Sequence, residues 1–224
     1  MRFCNLKVFR KVIFIILLIS VCATKAQRIR GFGNISFYYE NEDFKKELMT
    51  DLGGGVEFEF HPLFKPEVSV SYSIMGIKDI KEYDYVQNSR KMIQKDVSSL
   101  NFTIGPKIYL WYQDFTSDNA ACWYYIIPKI NMSRITANQS YNFIDDNNSS
   151  KSFNEKSKIA DWQHSFCFTI GMEYPLSEDG TSSLAISVNA TNINLGKTLN
   201  RFPHNEVDYS TIGYGIGLTY YFGF

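Results

Sequence analysis

The side chains with the greatest potential for chemistry are three histidines, His61, His164 and His204. Imidazole serves in acid–base catalysis and in metal binding. These histidines lie too far apart for a local zinc motif, in which two histidines share one helix face. Two groups have the residue types of a hydrolytic site: His164 near Asp161, and His204 with Glu206 and Asp208. Chance occurrence in polar segments explains both groups better, so we predict no enzyme, no cofactor and no metal site.

A second set of candidates consists of charged side chains that share one face of apolar, alternating segments. Its members are Glu57, Glu59, Lys107, Lys129 and Glu173. On the inner face of a small barrel such groups must pair, because an isolated buried charge costs several kcal/mol. We therefore predict a polar network that fills a barrel lumen. A path for ions or a solute through the same groups is the alternative, and catalysis by them is more remote.

The segments that must position these groups are β-strands, and the last one has the clearest pattern. In residues 212–224, apolar side chains alternate with glycine, threonine or tyrosine, which gives the strand one apolar and one small or polar face. Seven further segments alternate in a similar way. The eight predicted strands are 28–39, 50–60, 67–77, 97–112, 122–135, 161–174, 182–194 and 208–224. Glycines 53–55 lack the lysine of a phosphate-binding loop and fit a bend in a barrel strand.

The connections between these strands are predicted to alternate in length. Short ones cover 61–66, 113–121 and 175–181, and longer polar ones cover 40–49, 78–96, 136–160 and 195–207. Barrels of the bacterial outer membrane have short periplasmic turns and long external loops. Pro106 and Pro128 interrupt two predicted strands at similar distances from the 113–121 turn, and we predict a shared bulge or bend there.

The beginning of the chain indicates export. Residues 1–26 combine a basic start, a short apolar run from Val12 to Ala23 and small residues before Gln27, the pattern of a cleaved secretory signal peptide. A lipoprotein signal that acylates Cys22 is the alternative, although Val21 is large for that motif. The predicted organisation is a signal peptide over 1–26 and one β-barrel domain over 27–224.

Composition agrees with a membrane barrel. Of 23 basic residues five lie in 1–26, which leaves 18 basic against 23 acidic residues and a net charge of −5 for 27–224. That balance argues against nucleic acid as a partner. Aromatic residues make up 16% of the chain, as expected where aromatic girdles line two membrane interfaces. Cys122 and Cys167 remain after cleavage, and two unpaired buried thiols are the commoner outcome than a disulfide.

The chain resembles the eight-stranded outer-membrane β-barrel proteins of the opacity-protein and OmpX-like class. The resemblance rests on the signal peptide, the strand count, the difference in loop lengths and the closing "GIGLTYYFGF". The resemblance implies an all-β, antiparallel, up-and-down transmembrane barrel in the bacterial outer membrane. It also implies contact with membrane lipid and recognition by the barrel-insertion machinery through a terminal aromatic signal. Carried over here, that signal is Tyr220, Phe222 and Phe224.

Function follows from the scaffold rather than from a reactive group. We expect a non-catalytic membrane scaffold whose polar external loops, above all 78–96 and 136–160, contact a surface ligand or a partner protein, since loops on rigid scaffolds carry function. A small porin-like barrel for ions or a hydrophobic solute is the alternative hypothesis. A lipid- or peptide-hydrolysing enzyme is a remote one.

Overall fold

Eight antiparallel strands close into one barrel in the computed structural model, which describes residues 28–40, 48–110, 122–177, 181–203 and 213–223. The strands are β1 (Arg28–Glu40), β2 (Leu48–Glu59), β3 (Phe64–Asp84), β4 (Ser89–Tyr109), β5 (Trp123–Asp145), β6 (Phe153–Pro175), β7 (Ser182–Thr191) and β8 (Gly213–Gly223). Each strand pairs with its neighbours in the sequence, and β1 pairs with β8 to close the ring. The predicted eight-stranded up-and-down barrel is confirmed. The predicted signal peptide lies outside the described residues.

Because successive side chains of a strand point to opposite faces, the barrel has an outer apolar belt and an inner, mostly polar face. On β8, Ile216, Leu218 and Tyr220 are exposed on the outer surface, while Gly217 and Tyr221 are buried inside. Every other strand contributes large apolar side chains to the same outer belt, among them Phe37, Leu52, Val70, Phe102, Ile130, Phe168 and Val188. A belt of this kind is stable only against hydrocarbon. The chain is therefore a transmembrane β-barrel of the bacterial outer membrane.

The main correction concerns the two loops that were predicted to be longest. Residues 78–96 and 136–160 mostly belong to strands: β3 and β4 continue to a four-residue turn at 85–88, and β5 and β6 continue to a turn at 146–152. Beyond the membrane the outer face of these strands meets water and is mostly polar, whereas the inner face mixes buried apolar residues such as Ile93 and Tyr141 with buried polar ones such as Lys95 and Gln139. The regular apolar alternation that reveals a membrane strand is therefore weak there. Their hydrogen-bonded register nevertheless runs without a break from Ser89↔Asp145 to Ile104↔Ile130.

Four strands thus extend beyond the belt at one end of the barrel. We call residues 76–98 and 134–160 the extracellular sheet, because in outer-membrane barrels the longer connections are external. Measured along β4, residues 89–98 reach roughly 30 Å beyond the belt at about 3.3 Å per residue. The opposite, periplasmic end has a short turn at 60–63.

Pro106 and Pro128 interrupt the sheet differently from the expectation. They lie opposite each other on β4 and β5, where pairing stops after Ile104↔Ile130 and resumes at Ile108↔Ile126. Because the register is the same on both sides of this gap, neither strand contains an extra residue. The two prolines therefore share one interruption, but of the predicted bulge or bend the bulge is wrong. A register shift occurs instead on β3, between Ile77 and Ile80.

One segment between β7 and β8 folds over the external mouth. Residues 192–203, which we call the cap segment, contain the short helix α1 (Gly196–Leu199). No helix among the described residues is long and apolar enough to cross a membrane.

Gly55 is the tightest point of the wall, and it provides a test of the packing. A methyl group at this position would lie 2.2 Å from the backbone oxygen of Val68 and 2.8 Å from Cζ of Phe32. Gly55→Ala should therefore destabilise the barrel by about 1–3 kcal/mol through overpacking, measured as the free energy of urea unfolding in lipid vesicles.

Gly76→Ala is the matched control, since nothing lies within 4 Å of a methyl group there. Equal unfolding free energies for the two variants would contradict the close approach of β1, β2 and β3.

Candidate functional site in the lumen and the extracellular sheet

The periplasmic third of the lumen is filled by buried charges. Lys107 extends from β4 to the carboxylates of Glu57, at 3.0 Å, and Glu67, at 3.7 Å, and it also pairs with Glu173. Arg30 reaches the same region from β1, with its guanidinium 2.6 Å from Glu57 and 2.9 Å from Glu173. We call these five residues the ion plug. All of them are at most 4% exposed, so their charges are compensated inside the protein rather than by bulk water.

Hydroxyl groups and aromatic rings complete this network. Tyr109 donates to Glu173 at 2.6 Å, Ser183 donates to the same carboxylate at 2.5 Å, and Tyr221 donates to Glu67 at 2.7 Å. The ammonium of Lys107 also lies 3.7 Å from the ring centroid of Tyr221 and 4.6 Å from that of Tyr125. Cation–π contacts of this kind are strongest where water is excluded. The ion plug is thus both electrostatically paired and sterically full.

The structure brings together three of the five charged residues that the sequence indicated. Glu57, Lys107 and Glu173 meet in the ion plug, whereas Glu59 lies to one side and pairs with Lys65 at 3.4 Å. Lys129 lies farther along the lumen and lines a cavity that Glu67 of the ion plug also borders. We did not predict Arg30 and Glu67: alternation places each on the inward face of a predicted strand, but it does not place either beside Lys107.

Above the ion plug the lumen encloses a small polar cavity. It is lined mainly by hydroxyl and amide side chains, including Ser36, Ser71, Asn101, Asn131, Thr169 and Asn189. Asp51 accepts hydrogen bonds there from Ser73, at 2.6 Å, and Asn101, at 3.3 Å. The volume open to water is about 70 Å³, enough for roughly five water molecules. The cavity is too small for a sugar or another solute of similar size.

The external mouth of the lumen is closed by the cap segment. Ile193, Leu195, Leu199 and Phe202 are buried against wall residues that include Tyr38, Met75, Val97 and Ile135. Two polar contacts fix the segment from β5 and β6: Gln139 donates to the Pro203 carbonyl at 2.8 Å, and Gln163 donates to Thr198 at 3.3 Å. The lumen is therefore obstructed at both ends.

The two turns at the tip of the extracellular sheet are joined to each other. Arg90 pairs with Asp146 at 2.5 Å, Asn88 donates to the Asn147 side chain at 3.1 Å, and the Asp146 amide donates to the Asn88 carbonyl at 3.0 Å. The hydrogen bond and charge of Asp146 raise the pKa of Arg90. The tip therefore behaves as one unit rather than two independent loops.

Each of these turns is also stabilised from within. Asp84 accepts from the amides of Val86, at 2.8 Å, and Gln87, at 3.1 Å. Asp145 accepts in the same manner from Asn147, at 2.9 Å, and Asn148, at 3.0 Å. Such Asx turns give a short connection a defined conformation. The structured tip leaves Tyr85 and Val86 87% and 94% exposed.

The histidines do not assemble into a catalytic group among the described residues. His164 faces outward on β6, whereas Asp161 lies on the opposite face and contacts Arg201 at 3.4 Å. His61 accepts a hydrogen bond from the Leu63 amide at 3.1 Å and so supports the periplasmic turn. His204, Glu206 and Asp208 lie outside the described residues. Within the described part of the chain, no three His, Cys, Asp or Glu residues are arranged to hold a metal ion.

Two other sequence expectations concern cysteines and terminal aromatics. Cys122 and Cys167 do not form a disulfide; Cys167 is buried, as expected, but Cys122 is only half-buried. Tyr220 and Phe222 face the membrane with ring centroids 6.1 Å apart. Phe224 lies outside the described residues, and the role of these aromatics in insertion remains a prediction.

Fold and lumen together define a plugged, eight-stranded outer-membrane β-barrel. No protein-family model matches the chain, and no curated protein sequence matches it significantly. Solved structures similar to it include the N-terminal β-barrel domain of Pseudomonas aeruginosa OprF, at 12% identity and a TM-score of 0.37, with 88% of this chain and 98% of that chain covered.

Two further similar structures are, by name, a surface protein and an attachment invasion locus protein. Neisserial surface protein A is 8% identical, with a TM-score of 0.43 and coverage of 88% of this chain and 97% of that one. Ail, the attachment invasion locus protein of Yersinia pestis, is 12% identical, with a TM-score of 0.42 and coverage of 88% and 99%; it has also been crystallised with the heparin analogue sucrose octasulfate. Likenesses this distant carry no conclusion about activity.

The ion plug predicts a large penalty for removing one partner. Lys107→Met leaves three buried carboxylates with Arg30 as the remaining plug cation, and should lower the free energy of unfolding by about 3–5 kcal/mol. Urea unfolding in lipid vesicles, followed by tryptophan fluorescence, measures the change.

Lys91→Met makes the same substitution on the extracellular sheet, where Lys91 pairs with the half-exposed Glu82 at 3.5 Å. Because such surface pairs are weak, this control should lose less than about 1 kcal/mol. A similar loss in both variants would show that the ion plug is not specially important for stability.

Proposed function

We propose that this protein is a non-catalytic outer-membrane scaffold that presents its extracellular sheet to a ligand or partner protein at the cell surface. The observation that carries the proposal is the joined tip, where turns 85–88 and 146–152 are held in one arrangement by hydrogen bonds and an ion pair. A binding surface that is already ordered loses less conformational entropy when a partner associates with it.

The residues exposed at the tip support an interaction role. Tyr83 and Tyr85 pack edge to face with ring centroids 4.6 Å apart, and Val86 lies beside them in the turn. Tyrosine supplies large contact area at low conformational cost and is enriched at binding hot spots. An exposed aromatic pair this far from the apolar belt contributes nothing to contact with hydrocarbon, so it is available to a partner in the aqueous phase.

The proposal includes the route of the chain to the membrane. Residues 1–26 direct export, and Tyr220, Phe222 and Phe224 are the signal for the barrel-insertion machinery. The outward position of Tyr220 and Phe222 on the closing strand supports this role, since a side chain on that face can be contacted before the barrel closes. A non-catalytic role is supported by the separation of His164 from Asp161 on opposite faces of β6.

Adhesion of proteoliposomes tests the interaction role. Vesicles that contain the protein are applied to surfaces coated with fibronectin, laminin or collagen, and bound vesicles are counted. We expect adhesion to at least one surface, and a loss of roughly tenfold for Tyr85→Ala/Val86→Ala, as for other exposed anchor residues.

The matched control is Tyr174→Ala/Leu176→Ala, which removes an equivalent exposed pair at the periplasmic end. Absence of adhesion by the wild type, or equal adhesion by both double variants, would contradict the assignment of the tip as the binding surface.

Conductance measurements distinguish the scaffold from the transport alternative. Because the ion plug and the cap segment obstruct the lumen at both ends, planar bilayers that contain the protein should show no reproducible openings. Insertion is verified in parallel by the shift in gel mobility between boiled and unboiled samples. Stable single-channel openings in the wild type would favour the porin-like function over the scaffold.

A further inference from the structure

The apolar belt ends asymmetrically, and on β5 and β6 it ends beside an arginine. Met132 is the last outward apolar residue of β5 within the belt, and Arg134 follows it on the same face, directly opposite Trp162 of β6. The Trp162 ring stacks near Phe102, with centroids 6.5 Å apart. Tryptophan on a lipid-facing surface marks the boundary between hydrocarbon and headgroups. The guanidinium of Arg134 is therefore at the depth of the lipid headgroups.

Two lysines continue this positive surface away from the membrane. Lys158 and Lys156 occupy successive outward positions of β6, opposite Asn138 and Ser140. Both are exposed, as is Arg134. We call Arg134, Lys156 and Lys158 the basic strip. Among the residues that the structure describes, none of the three forms an ion pair.

The surroundings do not neutralise this charge. On the outward face of β4, β5 and β6 beyond the belt, the one acidic residue in the described chain is Asp96, and it accepts a hydrogen bond from Asn138 at 2.7 Å. The other side of the barrel differs, because the outward residues at the same boundary are Tyr39 of β1, Asn192 just after β7, and Tyr214 of β8. Among the described residues, the excess positive charge at this boundary thus lies on one flank.

We propose that the basic strip binds the phosphate groups of a lipid in the outer leaflet of the membrane. An arginine at headgroup depth matches a phosphate with two parallel hydrogen bonds, and lysines above it attract further anionic groups. A membrane lipid is the occupant because the strip is continuous with the lipid-facing belt through Trp162 and Met132. A lipid held there brings its acyl chains onto the belt and its phosphates onto the strip at the same time.

Native mass spectrometry of the purified barrel tests this assignment. The protein in detergent micelles is titrated with bisphosphorylated lipid A, and in parallel with lipid A from which both phosphates have been removed. We expect retention of the bisphosphorylated form at concentrations on the order of tenfold lower. Arg134→Gln/Lys156→Gln/Lys158→Gln should abolish this preference.

The matched control is Lys81→Gln/Lys151→Gln/Lys197→Gln, which removes the same charge from exposed external positions away from the strip. It should retain the preference. Both triple variants must show the mobility shift of a folded barrel, which separates loss of binding from loss of fold.

Three outcomes would overturn the proposal: equal retention of both lipids by the wild type, equal loss of the preference in the two triple variants, or displacement of the lipid by millimolar inorganic phosphate. The last outcome would identify a site for free phosphate. None of these results depends on the adhesive role of the tip, which is tested with Tyr85 and Val86.

Discussion

The constraint on which this structure depends is that hydrocarbon offers no hydrogen bonds to the backbone. A sheet can cross a membrane only if its first and last strands pair with each other, so that no edge remains. Here that pairing joins β1 to β8, from Arg30↔Gly223 to Glu40↔Gly213. Ring closure in turn decides which side chains meet lipid and which must fit inside a narrow lumen, and the alternation along every strand follows from it.

Closure of the ring also explains why polar side chains in the lumen bond to one another. Eight strands leave room for little more than side chains, so the polar groups that face inward must bond to one another. Arg30 and Lys107 share the carboxylates of Glu57 and Glu173, and tyrosines fill the space between them. Paired charges fill the periplasmic third, while the apolar residues of the cap segment close the other end.

The sequence predicted the transmembrane architecture well, and it predicted the aqueous part poorly. Within the belt, one face must be apolar, so residues such as Phe102, Ile104 and Ile108 reveal the strand and its orientation. Beyond the belt that requirement disappears, and residues 136–160 resemble a disordered loop although β5 and β6 continue through much of this range. The partners of Lys107 were only partly predictable, because register between distant strands, not local pattern, brings Arg30 and Glu67 to it.

The joined tip has a mechanical consequence. Because β4, β5 and β6 run from the barrel wall to the turns in unbroken register, a pull on an attached object acts along the strands. Such a force strains many ladder hydrogen bonds in parallel, as in shear, instead of breaking them one after another as in unzipping. The pair between Arg90 and Asp146 spreads the load over both hairpins, so an anchorage at this tip would resist detachment by flow better than a flexible loop.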